Sequence, residues 1–282
     1  MPSDRGGVRV DAHVHVWPHL LPATIDVDPS MAAAGDVDAL VANLMPNEVT
    51  AAVIVQSSVC GLDHEYLLAA VKTDHPRLVG MAQAEPEDRR SLGLIGELTA
   101  SGAVVGFRLP LIRAGDGWIR TQAKSYWELA ASQRSVICVL LAPDQLDDVS
   151  RLAAAYAAVP LVIDHLARFD LATDRGHAID QLCRLASLEN VYVKLSALGS
   201  LTHDEWPYRD LWPALVSVIE AFGADRVMWG SDYPFVLAHG RYKDSFRALE
   251  LLLRSEAGDV GEENIMGGNA LRIFFDRETQ RS

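Results

Sequence analysis

The chain has 282 residues, a formal net charge of −13, 49% hydrophobic residues and 22% charged residues. A single α/β barrel commonly spans about 250 residues, so we expect one domain covering residues 1–282. The negative charge and the lack of basic patches argue against nucleic acid and anionic membranes as partners.

The cysteine pattern and the hydropathy of the chain bear on its compartment. Cys60, Cys138 and Cys183 are odd in number and lack the paired spacing of a metal site, so we expect reduced thiols. The segment from Met1 to Val10 lacks the apolar core of a signal peptide, and no apolar run approaches the roughly 18 residues of a membrane span. We therefore expect a cytoplasmic protein.

Short apolar runs alternate with helical patterns along the chain, which is typical of repeated βα units and a parallel sheet. The eight predicted strands are Val8–His13, Ala51–Gln56, Arg77–Gln83, Val104–Leu109, Val136–Leu141, Pro160–Asp164, Val191–Leu195 and Arg226–Gly230. The eight predicted helices are Asp36–Met45, Glu65–Thr73, Ser91–Ala100, Gln122–Ala131, Gln145–Ala157, Ala178–Ala186, Leu211–Ala221 and Tyr242–Leu253.

This order predicts a closed (β/α)8 TIM barrel. The alternative is a doubly wound open sheet, which usually carries a glycine-rich phosphate turn after its first strand. Here that turn reads His-Val-His-Val-Trp-Pro. The segment Trp17–Gly35 is long for a βα connection, and long loops at the carboxyl ends of barrel strands shape active sites, so we expect a lid or pocket wall there.

Asp11-Ala-His13-Val-His15 closes the first predicted strand. Because side chains alternate along a strand, His13 and His15 project to one side and could bind one ion together. Two histidines at this spacing also arise by chance on solvent-exposed strands. The motif alone therefore leaves a metal pair and a surface pair as alternatives.

Two further strand ends carry groups of the same chemical type. His165 directly follows the sixth predicted strand, and Asp232 follows the eighth. In a TIM barrel the carboxyl ends of all strands surround one mouth, so both side chains should face His13 and His15. The alternatives are a histidine satisfied by the backbone and an aspartate that caps a helix.

Taken together, these motifs resemble the amidohydrolase-related (amidohydrolase 2) TIM-barrel metal-dependent hydrolases, particularly the branch of 2-pyrone-4,6-dicarboxylate lactonase and sugar-acid lactonases. The resemblance covers nearly the whole chain and rests on the following segments: Asp11 to His15, Val53 to Gly61, Gly106 to Arg108, Val162 to His165, Val193 to Ser196, Trp229 to Pro234 and Gly268 to Phe274.

The resemblance implies a site for one divalent metal ion, most naturally zinc, bound by His13, His15 and Asp232. His165 would be a fourth ligand or would polarise the substrate. Some members of the lactonase branch work without metal, so metal-free operation stays open. A binuclear centre would need a lysine on strand four and a histidine on strand five, and neither is present.

Several cationic and hydroxyl side chains are candidates for substrate binding. Arg108 matches the arginines that hold substrate carboxylates in the dicarboxylate lactonases, and Arg113 matches them approximately. Lys194 and Ser196 share one face of strand seven, and Ser57 lies at the end of strand two. Lys194 could instead extend outward between helices.

The sequence thus predicts a hydrolase that opens a carboxylate-bearing lactone, a small anionic molecule. Asp232 would activate water, and His165 would polarise the carbonyl with or without a metal ion. One alternative is a metal-dependent decarboxylase of an aromatic or muconate-type acid. Another is a non-catalytic barrel that binds an organic acid. A homodimer is compatible with either reading.

Overall fold

The computed structural model describes residues 8–19, 29–73, 76–115, 117–171, 176–257 and 261–276. Eight strands form one sheet in the order β1 to β8, and each consecutive pair is parallel. The strands are β1 Arg9–Val14, β2 Val49–Val55, β3 Arg77–Gln83, β4 Gly106–Pro110, β5 Val136–Leu140, β6 Leu161–Ile163, β7 Val191–Leu195 and β8 Val227–Trp229.

Helices follow the strands and cover the outside of the sheet. In the described ranges the α-helices are α1 Pro29–Ala34, α2 Val37–Leu44, α3 Glu65–Ala70, α4 Ser91–Ala100, α5 Trp118–Thr121, α6 Lys124–Gln133, α7 Leu146–Ala155, α8 His177–Arg184, α9 Leu198–Leu201, α10 Trp212–Phe222 and α11 Tyr242–Leu252. Each predicted strand and helix has its counterpart. The short helices α1, α5 and α9 were not predicted, because helices of four to six residues carry too little periodicity to be recognised.

The sheet closes into a barrel between β1 and the chain that follows β8. The Asp232 amide donates to the His13 carbonyl at 2.9 Å, and the His15 amide donates to the Tyr233 carbonyl at 2.6 Å. Val14 and Tyr233 form a parallel bridge at the same place. The predicted (β/α)8 barrel is therefore confirmed, and the open sheet is excluded.

The core has an inner and an outer part. Val10, Ala12, Val53, Cys138 and Met228 are among the side chains that fill the barrel interior, whereas the outer core lies between strands and helices. The carboxyl-terminal π-helical segments Asn264–Gly268 and Leu271–Phe275 add Ile273 and Phe274 to the inner cluster. Buried apolar side chains therefore fill the barrel interior on the amino-terminal side of the site.

The segment Asn264–Gly268 covers the amino-terminal end of the barrel. A Cβ atom on Gly267 would lie 1.9 Å from the Val8 carbonyl oxygen, so only glycine permits this approach. Asn269 donates to the carbonyls of Ala224 and Val227, both at 2.7 Å, and so satisfies backbone groups at the start of β8. Access to the interior is thus from the carboxyl ends of the strands.

Three smaller expectations can be compared with the structure. Residues 20–28 of the Trp17–Gly35 loop lie outside the described residues, so its role as a lid stays a prediction. Where it is described, the Trp17 indole is buried and donates to the Ala32 carbonyl. All three cysteines are free. Among the described helices, none is both long and apolar enough to cross a membrane.

Candidate active site

A β-bulge in β1 turns His13 into the barrel. Val10 and Ala12 face the interior, so strict alternation would place His13 outside together with Asp11. The register with β2 is irregular between Asp11 and Val14, which pair with Ala52 and Ile54 respectively. Three residue intervals on β1 therefore lie beside two on β2. The extra residue on β1 turns the His13 side chain towards the interior.

Asp11 ties β1, β8 and α11 together on the outer side of this bulge. Its Oδ1 accepts from the amides of His13 at 3.1 Å and Ser231 at 2.9 Å, and its Oδ2 accepts from the Tyr242 hydroxyl at 2.7 Å. Burial raises the pKa of Asp11 to about 6, although these hydrogen bonds act against the increase. A Cβ atom on Gly230 would lie 2.8 Å from His13 Cβ, so glycine lets the two strands meet.

Four side chains from three strand ends converge on one point at the mouth. His13 Nε2 lies 3.1 Å from His15 Nε2. Asp232 Oδ1 lies 3.3 Å from His15 Nε2, 3.7 Å from His13 Nε2 and 3.8 Å from His165 Nε2. The exposed fraction of each residue is 8% or less. The structure therefore brings together all four residues that the sequence singled out.

Two of the histidines form a hydrogen bond on the side of the ring that faces away from the cluster. His15 Nδ1 is 2.7 Å from the Val55 carbonyl oxygen, and His165 Nδ1 is 2.8 Å from Ser196 Oγ. His165 begins four consecutive residues with positive φ, from 51° to 60°, and Asp232 itself has a φ of 62°. Such left-handed conformations are unfavourable for non-glycine residues and concentrate at functional sites.

The electrostatics of the cluster favour neutral imidazoles at His13 and His165 beside the Asp232 carboxylate. Burial lowers the pKa of His165, and burial together with the Lys194 charge lowers the pKa of His13. Burial acts to raise the pKa of Asp232, but the surrounding histidines, His165 foremost, outweigh it and hold that pKa below its ordinary value. At neutral pH, His13 and His165 therefore offer imidazole lone pairs beside the Asp232 carboxylate.

These donors fit a single divalent metal ion. Asp232 Oδ1 is buried and accepts no hydrogen bond from any described residue. His13, His15 and Asp232 each present one ligand atom to a common point. Metal–nitrogen bonds of about 2.0–2.1 Å require ligand atoms about 3.3 Å apart in a tetrahedron, which matches the spacing of this cluster. Imidazole and carboxylate together suit a borderline cation.

A second group, His13, Asp164 and His165, also has the spacing of metal ligands. The Lys194 ammonium group already lies beside two of these three residues, because its Nζ is 3.0 Å from Asp164 Oδ1 and 3.2 Å from His13 Nδ1. Burial acts to lower the pKa of Lys194, but the Asp164 carboxylate reverses this and raises it. The expectation of a mononuclear centre stays a prediction.

Lys194 lies inside the barrel, and the outward orientation is wrong. Its exposed fraction is 0%, and its ammonium group also approaches Cys138 Sγ at 3.5 Å. The Phe274 ring of the inner core lies beneath it, 5.4 Å from Nζ. Lys194 therefore contacts the back of His13 and the core, and the substrate contact predicted for it stays a prediction.

The predicted substrate-binding arginines lie on one side of the mouth. Arg108 is buried and donates to Gln83 Oε1 at 2.6 Å, while its Nε donates to no described residue. Arg113 is about half exposed and pairs with Glu85 Oε2 at 3.1 Å. Gln83 Nε2 donates to Glu85 Oε1 at 2.8 Å and so links the two arginines.

The remaining predicted hydroxyl groups are engaged locally. Ser196 Oγ contacts His165, and Ser57 Oγ accepts from the Val59 amide at 3.3 Å in the turn after β2. Sequence reasoning gave no role to Asp11, Gln83 or Asp164. Asp164 directly precedes His165 and Gln83 ends a strand, so strand-end position was the available signal for both.

The chain belongs to the amidohydrolase family (Amidohydro_2), whose model matches residues 10–275. It is similar to 4-sulfomuconolactone hydrolase of Rhizobium radiobacter, with 28% identity over 79% of this chain and 74% of the relative. It is also similar to L-fucono-1,5-lactonase of Burkholderia ambifaria, with 28% identity over 94% of this chain and 95% of the relative.

Solved structures of an amidohydrolase from Burkholderia multivorans share the fold. The structure with bound HEPES has a TM-score of 0.79 at 24% identity, and it matches 94% of this chain and 98% of its own. The structure with bound zinc has a TM-score of 0.77 at 23% identity, with the same coverage. These likenesses establish the barrel architecture for the full length of the match.

We expect Tyr242→Phe to lower the free energy of unfolding by about 1–3 kcal/mol, because it leaves the buried Asp11 Oδ2 without its donor. Denaturant titration would measure the change, and Tyr192→Phe, at the half-buried start of β7, is the matched control. A Tyr242→Phe protein as stable as the control would show that the hydrogen bond between Tyr242 and Asp11 does not stabilise the fold.

Proposed function

We propose that this protein hydrolyses a lactone that carries a carboxylate group. The observation that carries the proposal is the buried Asp232 Oδ1, which accepts no hydrogen bond from the described residues although three imidazole nitrogens surround it at 3.3–3.8 Å. The names of both relatives refer to lactones, which supports a cyclic ester as the substrate.

We assign the metal ligands to His13, His15 and Asp232, with His165 either as a fourth ligand or facing the substrate. Zinc is the ion that the imidazole-rich donor set favours, and the related Burkholderia multivorans amidohydrolase has been solved with zinc. When bound, the ion would polarise the lactone carbonyl and lower the pKa of water.

The chain's own residues supply the proton transfer. Asp232 accepts a proton from the attacking water while the water oxygen bonds to the lactone carbonyl carbon. The ring C–O bond then breaks, and the departing ring oxygen takes this proton from Asp232, which restores the carboxylate and yields an open hydroxy acid. His165, held at Nδ1 by Ser196, directs its Nε2 towards this reaction centre.

Arg108 is the best placed group for the substrate carboxylate. Its Nε has no partner among the described residues, and removal from water strengthens its attraction for an anion. Arg108 lies on β4, whereas Asp232 follows β8, so carboxylate and scissile carbonyl would be held from different sides of the mouth. This arrangement favours a substrate with its acid group away from the ester.

Assays of acid release and of carbon dioxide release separate the alternatives. Hydrolysis of a lactone releases acid without carbon dioxide, whereas a decarboxylase would release carbon dioxide from aromatic or muconate-type acids. The decarboxylases that this chain resembles at its histidine pair and final aspartate use a histidine on strand five. Here β5 supplies Cys138 to the interior and no histidine, which favours hydrolysis. Saturable binding of organic acids without turnover of any lactone would indicate a binding protein instead.

Asp232→Asn should fold but lose turnover on the best lactone substrate by about 10²–10⁴-fold, because Asn preserves the shape and removes the basicity. Zinc content measured on the same sample separates loss of the base from loss of the ion. The exposed Asp204→Asn is the matched control. A folded Asp232→Asn enzyme with more than about a tenth of wild-type turnover would assign the base elsewhere.

Arg108→Met should raise the KM for an acidic lactone far more than it lowers kcat, because a carboxylate anchor acts on binding. The expected loss is about 2–4 kcal/mol in kcat/KM. Arg120→Met, which removes an exposed arginine paired with Asp148, serves as control and should change neither constant. An unchanged KM in Arg108→Met would leave Arg108 a structural role only.

Protein loaded with zinc and then desalted should retain about one equivalent per chain. His15→Asn should lose most of this zinc, and the exposed His177→Asn should keep it. Elemental analysis provides the measurement. Retention of less than about a tenth of an equivalent by the wild-type protein would exclude the zinc site and leave a metal-free mechanism.

A further inference from the structure

A chain of hydrogen bonds runs from Lys194 through both β1 histidines to the backbone. Lys194 Nζ lies 3.2 Å from His13 Nδ1. His13 Nε2 lies 3.1 Å from His15 Nε2, and His15 Nδ1 lies 2.7 Å from the Val55 carbonyl oxygen. All of these side chains are buried.

With Lys194 as the donor to His13 Nδ1, the two ends of the chain fix the direction of every other hydrogen bond in it. An ammonium group can only donate, and a carbonyl oxygen can only accept. Lys194 therefore donates to His13 Nδ1, His13 donates from Nε2 to His15 Nε2, and His15 donates from Nδ1 to Val55. Each imidazole then carries one proton and is neutral.

This arrangement opposes metal binding by His13. A metal ligand needs the lone pair of Nε2, but in the chain of hydrogen bonds Nε2 carries the proton. If the proton resides on Nδ1 instead, the N–H group meets Asp164 Oδ1, which is 3.3 Å away. The back of His13 thus faces both a donor, Lys194, and an acceptor, Asp164, which pair with each other at 3.0 Å.

We propose that Lys194 and Asp164 are positioning residues that allow His13 to exchange tautomers when the site takes up a metal ion. Without metal, Lys194 donates to Nδ1 and the proton is on Nε2. With metal, Nδ1–H donates to Asp164 and Nε2 binds the ion, as carboxylates orient metal-bound histidines generally. The inference rests on the proposed metal site and is independent of lactone hydrolysis.

Wild-type protein labelled with 15N-histidine provides the direct test, with zinc as the probe. Nitrogen chemical shifts distinguish protonated from unprotonated imidazole nitrogens, and the spectrum of His13→Asn assigns the His13 signals. After chelator treatment we expect a proton on His13 Nε2, and with zinc we expect it on Nδ1. The same proton position in both samples, or a doubly protonated His13 without zinc, would overturn the proposal.

The zinc content of the sample separates the two failures. If zinc does not bind, the proposed metal site is wrong and the exchange fails with it. If zinc binds and the proton position does not change, only the exchange is wrong.

Lys194→Met tests the role of the donor. Without the ammonium group, Asp164 is the remaining partner of Nδ1, so His13 should hold its proton on Nδ1 even in the chelator-treated protein. Lys72→Met, on the surface, should behave as wild type. A folded Lys194→Met protein with the proton still on Nε2 would contradict the proposal. Should this variant not fold, the wild-type spectra decide by themselves.

Discussion

Closure of the barrel between β1 and β8 is the constraint on which the site depends. Asp11 and Ser231 are 220 positions apart in the chain, yet one carboxylate oxygen bonds the Ser231 amide and the His13 amide. Closure places the carboxyl end of β8 against the bulge of β1. The histidine pair and Asp232 therefore share one site only because the first and last strands meet.

The ion pair behind the histidines adds little net stability to the fold. Lys194 and Asp164 are fully buried, and desolvation of two such charges offsets most of their attraction. Apolar residues would fill the same space at lower cost. The two charges of the pair neutralise each other, and the pair places one hydrogen-bond donor and one acceptor beside His13.

Strand-end position made much of the fold and site predictable. The positions of His13, His15, His165 and Asp232 at the ends of apolar runs placed them at one mouth, since parallel strands in a barrel share their direction. The inward orientation of His13 was not derivable, because it requires the bulge between Asp11 and Val14, whose register depends on β2. The position of Lys194 behind the site depends likewise on long-range packing against Asp164 and Cys138.

The strain of the site is concentrated on one side of the mouth. Positive φ values at His165, Ala197 and Asp232 follow β6, β7 and β8 in turn. Such conformations persist only where the surroundings over-determine them, and here a solid inner core and the Asp11 contacts supply that support. The opposite side carries Arg108 in the regular strand β4, without positive φ. Strained strand ends thus orient the His165 and Asp232 side chains, whereas the long Arg108 side chain extends from a regular strand.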